Sequence, residues 1–379
     1  MSQDTLRLAA GRFICARKDV DEGLKAKAIA LTKEGVDWKF FIDATMRGGV
    51  TVLVYETLRA LDSSANIPRF VFDRLKSAYL YIISEVSLQH RELLELLKLF
   101  HERNIFAVPL KGTALAKQLY SDIAARGISG DIDILIKQKD KAKARMLLEE
   151  KGYSLISDSR EERLGESVFI KPKNKTLDIH SYIMTKLDCN TERIEGFMGG
   201  VRLTEEEGCK YYEFKEEELL LYLAAHLVCS DCFRNLRYIC DINALLYRYK
   251  NRINWGTLIK KAKVWKLAGS LYTVLKLSKD LFKSDVPLEG LRKIKPNLFK
   301  LVLIKIFTSK KVILRNNSRR SKTLLGIMGL TFYRLINSGS ISDYLSVIFP
   351  PKEYLVHKSH TARIIKGILK LIRLAWLTE

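Results

Sequence analysis

The chain is short of long apolar runs, and this absence bounds it first. The N-terminal MSQDTLRLAAGRFICARKDV contains no continuous apolar stretch and no small-residue cleavage site, so a secretory signal is not expected. In the basic C-terminal part the longest uncharged apolar run, TLLGIMGLTFY from Thr323, falls well short of the ~20 residues a bilayer span requires. A cytoplasmic address is the expectation, with a location peripheral to the membrane as the alternative. Cysteine is sparse and irregular: Cys15, Cys189, Cys209, Cys229, Cys232 and Cys240 do not form a disulfide framework and are expected to be reduced. No internal repeat and no low-complexity segment is present. With 47% hydrophobic and 28% charged residues the chain does not resemble a disordered one. At 379 residues it is long enough for two or three substructures.

Acidic residues are missing from one region only. From Lys250 to the end there are 27 Lys and Arg against 6 Asp and Glu, whereas residues 1–249 hold 38 against 37. The net charge of +22 therefore sits almost entirely in the last third. A field localised in this way points to an anionic partner, with RNA ahead of an anionic membrane surface. The competing reading is a solvated, Lys-rich helical region that takes no specific partner.

Hydrophobic periodicity divides the chain into three regions. Residues 1–104 read as helices: apolar positions in DWKFFIDATMRGGVTVLVYETLRAL recur at three- and four-residue steps around a break at Gly48–Gly49, and the stretch from Ala78 to His101 keeps the same period. Residues 105–215 alternate strand and helix. IFAVPL, DIDILI, ESVFIK, TLDIHSYI and KYYEF read as strands; TALAKQLY and KDKAKARMLLEEKGY read as helices. Residues 216–379 read helical again, beginning with EEELLLYLAAHLV. The expected fold class is α+β, a mixed sheet with flanking helices set between two helical regions.

In DIDILI, side chains alternate faces, so Asp131 and Asp133 point one way and Ile132, Ile134 and Ile136 the other. Two adjacent carboxylates on one strand repel unless a cation lies between them, and a hard, oxygen-liganded ion such as Mg²⁺ or Mn²⁺ suits them. TLDIHSYI repeats the device with Asp178 and His180 on one face. Three carboxylates on two strands fit two-metal phosphoryl or nucleotidyl transfer, with Asp178 binding the nucleophile-side ion or acting as base. Upstream, LKGTAL runs from a strand through a turn into a helix, a geometry whose free N–H groups bind phosphate. There Gly112 lets the backbone approach, Thr113 offers a hydroxyl and Lys111 a point charge for an NTP. Haloacid-dehalogenase-type phosphatases place their Asp pair after an apolar strand, and metal-dependent glycosyltransferases place D-x-D at a strand's end. Here a Gly loop precedes the pair and ILI follows it, so the carboxylates begin the strand. That order favours nucleotidyl transfer.

The set VPLKGTALAKQLY, ARGISGDIDILI, KARMLLEEKGY and LDIHSYI resembles the uncharacterised nucleotidyltransferase family of the polymerase-beta-like superfamily. The likeness extends to DWKFFIDATMRGGVTVLVYETL, LLLYLAAHLV and LRYICDINALL, and weakly to IFPPKEYL. The resemblance implies a mixed sheet, an NTP used with divalent metal, and transfer of a nucleoside monophosphate. It implies Lys111, Gly112 and Thr113 as the phosphate turn, Arg126 as the loop arginine, Asp131 and Asp133 as metal carboxylates, and Asp178–His180 as the D-x-H pair. His226 and Asp241 match a helical His and Asp of the family. Lys-Gly stands where the superfamily commonly has Gly-Gly or Gly-Ser, and toxin-type nucleotidyltransferases of the abortive-infection group share that turn. An RNA acceptor therefore stays open beside a small-molecule one, as does a nucleotide-binding scaffold.

Several residues carry two readings. His226, Cys229, Cys232 and Cys240 invite zinc through their C-S-D-C, yet that motif continues an apolar helix, where Cys is a common core residue. His226, Asp241 and Arg237 fit either a structural polar cluster or the lining of a cleft. RIIKGILKLIRLAW sets Arg363, Lys366, Lys370 and Arg373 on one stripe, as a docked helix or one lying in a membrane interface. The basic patches at 309–311 and 315–322 lack interleaved aromatics, so any nucleic-acid contact there would be with phosphates.

Overall fold

Strand-forming runs of Ile, Leu and Val between helices bury one face of a central sheet against helices. The computed structural model describes residues 29–30, 32, 36–61, 66–156, 166–172, 176–183, 191–233, 235–308 and 332–337. The segments 309–311 and 315–322 and the terminal 363–376 stripe lie outside the described residues. The chain divides into two compact units, with the boundary between Leu219 and Leu220.

In the first unit, helix α1 (Trp38–Arg47) has its first turn capped by Asp37 Oδ1 accepting from the Phe40 N–H at 3.0 Å. Gly49, at φ +68°, turns the chain into α2 (Thr51–Arg59). A long helix, α3 (Arg69–Glu102), follows Pro68. It begins nine residues before the expected Ala78, because Val71, Leu75, Ile82 and Val86 continue one buried stripe back towards the proline. Then come β1 (Ala107–Pro109), α4 (Gly112–Tyr120), β2 (Asp131–Ile136), α5 (Lys141–Glu150), β3 (Ser154–Leu155), β4 (Glu166–Ile170) and β5 (Thr176–His180). These strands form one mixed sheet in the order β1-β2-β5-β4-β3. Strand β2 runs parallel to β5 and antiparallel to β1. Pro109, which cannot donate to a ladder, sits on the edge strand β1.

Ile132, Ile134 and Ile136 of β2 and Leu177 and Ile179 of β5 pack in one buried cluster. Leu93, Leu97 and Phe100 of α3 and Ala144, Leu147 and Leu148 of α5 complete it. Helices α3 and α5 thus cover the face opposite the aspartates. The architecture is α+β, a five-stranded mixed sheet with flanking helices, as the alternation of periods implies. After α6 (Thr191–Gly199), the hairpin β6 (Val201–Glu206) and β7 (Cys209–Phe214) adds a separate two-stranded sheet. Of these two strands, only β7 is read from the sequence. Strand β6, VRLTEE, is half exposed and carries three charged residues in six, which weakens its apolar alternation.

α7 (Glu216–His226) crosses the unit boundary and passes into a π-helical turn, Leu227–Asp231. The second unit continues with α8 (Leu236–Arg248), α9 (Trp255–Val264), α10 (Ala268–Phe282), α11 (Leu288–Lys293) and α12 (Leu298–Phe307). The helical run WGTLIKKAKVWKLAGSLYTV resolves into two helices, parted where Lys266 takes φ +53°. No helix among the described residues is long and apolar enough to cross a membrane.

The core dictates where the carboxylates point, so its removal is measurable. Ile134 is fully buried, whereas Leu203 on β6 is 53% exposed. Ile134→Ala is expected to cost about 2–5 kcal/mol in denaturant unfolding, and Leu203→Ala less than about 0.5 kcal/mol.

Candidate active site

The parallel pairing of β2 with β5 sets Asp133 directly opposite Asp178 and Leu135 opposite His180. Strand alternation therefore puts Asp131, Asp133, Asp178 and His180 on the face away from α3 and α5. Ligand atoms of Asp133, Asp178 and His180 lie within 4.8 Å of one another, the one such acid, His or Cys grouping among the described residues. Asp131 is on the same strand face but outside that group. His180, placed by the sequence on one face with Asp178, stands with the carboxylates.

Asp133 is the centre of the arrangement, its side chain only 2% exposed. Its Oδ1 accepts from the Lys111 ammonium at 2.8 Å and from His180 Nε2 at 3.0 Å. A carboxylate only accepts, so the His180 nitrogen facing it carries the proton. Its Oδ2 is buried and has no hydrogen-bond partner. Burial alone would push the Asp133 carboxyl up; Lys111 and His180 more than reverse this and hold it well below the usual carboxylate range. Asp131 is shifted the other way, raised by burial and by the charge of Asp133, although Ser129 Oγ donates to its Oδ1 at 3.0 Å.

The β1–β2 ladder brings Lys111 here. The Leu110 N–H donates to the Asp133 carbonyl at 3.0 Å, which carries the next residue over the strand. Lys111 is the N-cap of α4, and Gly112 takes φ +61°, a conformation glycine adopts without strain. A Cβ on Gly112 would meet nothing within 4 Å, so the backbone conformation and not crowding requires the glycine. Arg126 is buried, and its Nη1 donates to the Gly112 carbonyl at 3.3 Å, bracing the turn. Thr113 is also buried, and its hydroxyl meets His90 Nδ1 at 2.9 Å.

Sequence reasoning missed the residues behind the site. Gln89 Nε2 donates to the Asp131 carbonyl at 3.0 Å, and His90 reaches both Thr113 and Glu206. Their signal was polar residues on the buried stripe of α3, where Gln89 and His90 interrupt an apolar period. Predicted residues from the C-terminal region lie in the second unit. His226 sits against Tyr222 and Tyr238, with ring centroids 6.0 and 4.9 Å away, and Asp241 is fully buried in α8. Cys229, Cys232 and Cys240 are buried thiols; Cys232 Sγ donates to the Cys229 carbonyl at 3.5 Å. The C-S-D-C segment is the π-helical turn, ending in Cys232 at φ +51°.

A mixed sheet with aspartates at the start of one strand, a D-x-H pair on its parallel neighbour and a strand–turn–helix beside them defines a nucleotidyltransferase-like protein. The family model described as uncharacterised nucleotidyltransferase matches residues 34–283, and the chain belongs to that family. Neither the curated proteins nor the solved structures contain a match.

The opposite shifts of the two strand aspartates have consequences for stability in metal-free protein. With its folded pKa depressed, Asp133 contributes stability that is present above the unfolded carboxylate value, near pH ~4, and lost as pH falls towards its folded value. Lys111→Met removes the main lowering influence. The acid-unfolding midpoint, followed by circular dichroism, is expected to move to higher pH. Asp131, with its pKa raised, is destabilising once ionised, so Asp131→Asn is expected to raise thermal stability at neutral pH.

Proposed function

We propose that the protein moves a nucleoside monophosphate from an NTP to an acceptor hydroxyl, releasing pyrophosphate, on the face built by Asp131, Asp133, Asp178, His180 and the Lys111–Gly112 turn. The observation that carries this reading is the buried, unpartnered Oδ2 of Asp133 within the Asp133–Asp178–His180 group. A buried anionic oxygen without a donor is costly, and a hard cation compensates it. The donor set fits Mg²⁺ or Mn²⁺: Asp133 and Asp178 supply oxygen, Asp131 extends the same face, and His180 supplies nitrogen or orients Asp133. Such an ion, when bound, lowers the pKa of the attacking hydroxyl and shields the triphosphate.

The chain's own groups divide the remaining tasks. The first N–H groups of α4 and the Lys111 ammonium receive phosphate oxygens. An ammonium carries three donors, so contact with Asp133 is compatible with a second contact to phosphate. Asp133 is a poor base because Lys111 and His180 stabilise its anion. Asp131, whose pKa is raised, binds a proton more readily and is the better candidate to accept one from the acceptor. Arg126 holds the turn through the Gly112 carbonyl and does not reach outward.

An RNA acceptor is the second reading, favoured by the one-sided charge. Lys260, Lys263, Lys266, Lys276, Lys283, Arg292, Lys293 and Lys295 are exposed on the described part of the basic third. An anionic membrane surface is the less favoured partner for the same charge. The direct test supplies each α-labelled NTP with Mg²⁺ or Mn²⁺ and offers cell RNA, protein and small-metabolite fractions as acceptors. Metal-dependent label in one fraction is expected, reduced at least about a hundredfold in Asp133→Asn. RNA labelling that falls steeply with salt selects the RNA reading. Absence of both labelling and NTP binding defeats the proposal and leaves a scaffold.

A further inference from the structure

Behind the Lys111–Thr113 turn runs a chain of polar side chains that the chemistry proposed above does not use. His90 is buried in the middle of α3. Its Nδ1 lies 2.9 Å from Thr113 Oγ1 and its Nε2 3.3 Å from Glu206 Oε1. The same Glu206 oxygen pairs with Lys117 Nζ at 3.0 Å, and the other accepts from Tyr211 at 3.1 Å. Glu206 is ionised in this setting: burial opposes its charge, but Lys117 and His90 hold its carboxyl below the ordinary range.

The hydrogen-bond directions follow from that charge. The Glu206 carboxylate accepts from His90 Nε2–H, which in a neutral imidazole leaves Nδ1 as an acceptor. In that form Thr113 donates its proton inward to His90; an imidazolium donates instead to the Thr113 oxygen, and the pair is bonded in either case. The Thr113 side chain is turned inward, with the residue 3% exposed and its hydroxyl bonded to His90. It serves as a tether. Lys117, on the same helix and bound to the same carboxylate, gives a second tether one turn further along α4.

We propose that His90, braced by Glu206, is a positioning residue that holds Thr113 and thereby aims the N-terminus of α4 and the Lys111 side chain at the nucleotide phosphates. The proposal rests on the reading of that turn as the phosphate site. His90 touches no reacting atom; it acts through Thr113. Arg126 on the Gly112 carbonyl is the complementary brace from the loop before β2. The turn is thus fixed from a helix, a hairpin and a loop that are distant in sequence, which matches what phosphate recognition through backbone N–H groups demands.

The test compares wild type with His90→Ala, His90→Asn, Thr113→Val and the double variant His90→Ala/Thr113→Val. Affinities for ATP, GTP, CTP and UTP with Mg²⁺ are measured by calorimetry, together with amide exchange at residues 113–116 without ligand and melting temperature. Loss of one hydrogen bond in the tether is expected to weaken binding of the preferred NTP by about five- to tenfold. The double variant is expected to be no weaker than either single one, because both break the same link. His90→Asn, which can present an acceptor oxygen near the place of Nδ1, is expected to recover part of the loss. Additive effects, or variants that lose only melting temperature and keep wild-type affinity, overturn the proposal. If wild type binds no NTP, the phosphate-site reading fails, and with it the purpose assigned to the tether. Amide exchange then separates the two failures: faster exchange at 113–116 in His90→Ala upholds the positioning of the turn, and unchanged exchange overturns that as well.

Discussion

A carboxylate with 2% of its side chain exposed, bonded on one oxygen by an ammonium and an imidazole, governs this half of the molecule. Burying an ion costs several kcal/mol unless its partners are accurately placed. For Asp133 the partners come from two other places, the turn after β1 and the end of β5. The ladder bond from Leu110 and the Asp133–Asp178 register are therefore conditions for the charge to be tolerated at all. The second oxygen is buried and left without a donor. Functional sites are where such incomplete compensation is expected.

Helix α3 links the two sides of the sheet. Its Leu93, Leu97 and Phe100 cover the apolar face of β2 and β5. A turn earlier, Gln89 and His90 leave that apolar work and bind the backbone of Asp131 and the hydroxyl of Thr113. One rigid element thus registers the first residue of the carboxylate strand and the first turn of α4 against the same core.

Legibility in the sequence followed interaction range. Strand period alone separated Asp131 and Asp133 from Ile132 and Ile134, and Asp178 and His180 from Leu177 and Ile179, because alternation is a property of the backbone. The strands, the helices and the shared face within each of the D-x-D and D-x-H pairs were readable for that reason. The His90 contacts were not: they span 23 and 116 residues, and no local pattern encodes a pairing of that kind. Strand β6 escaped because its charged residues mask the alternation, and the start of α3 because only buried Val71 and Leu75 reveal it. Lys111 was recognisable as a cation beside the site, but its engagement with Asp133 depends on the Leu110 ladder bond, which composition does not report.

The same strand holds two aspartates two residues apart whose proton affinities are driven in opposite directions. Both are desolvated, Asp133 the more deeply, so burial alone would order them the other way. The difference is the distribution of positive charge: Lys111 and His180 make hydrogen bonds to Asp133 and act on Asp131 only at a distance, while each aspartate repels the other. Ionising Asp133 first is favoured by its cations, and its charge then raises the cost of ionising Asp131. Two chemically identical side chains are thereby driven apart in proton affinity, Asp133 towards the anion and Asp131 towards the protonated form. The separation is obtained without a specialised residue, by placing one lysine and one histidine on one carboxylate and not on its neighbour.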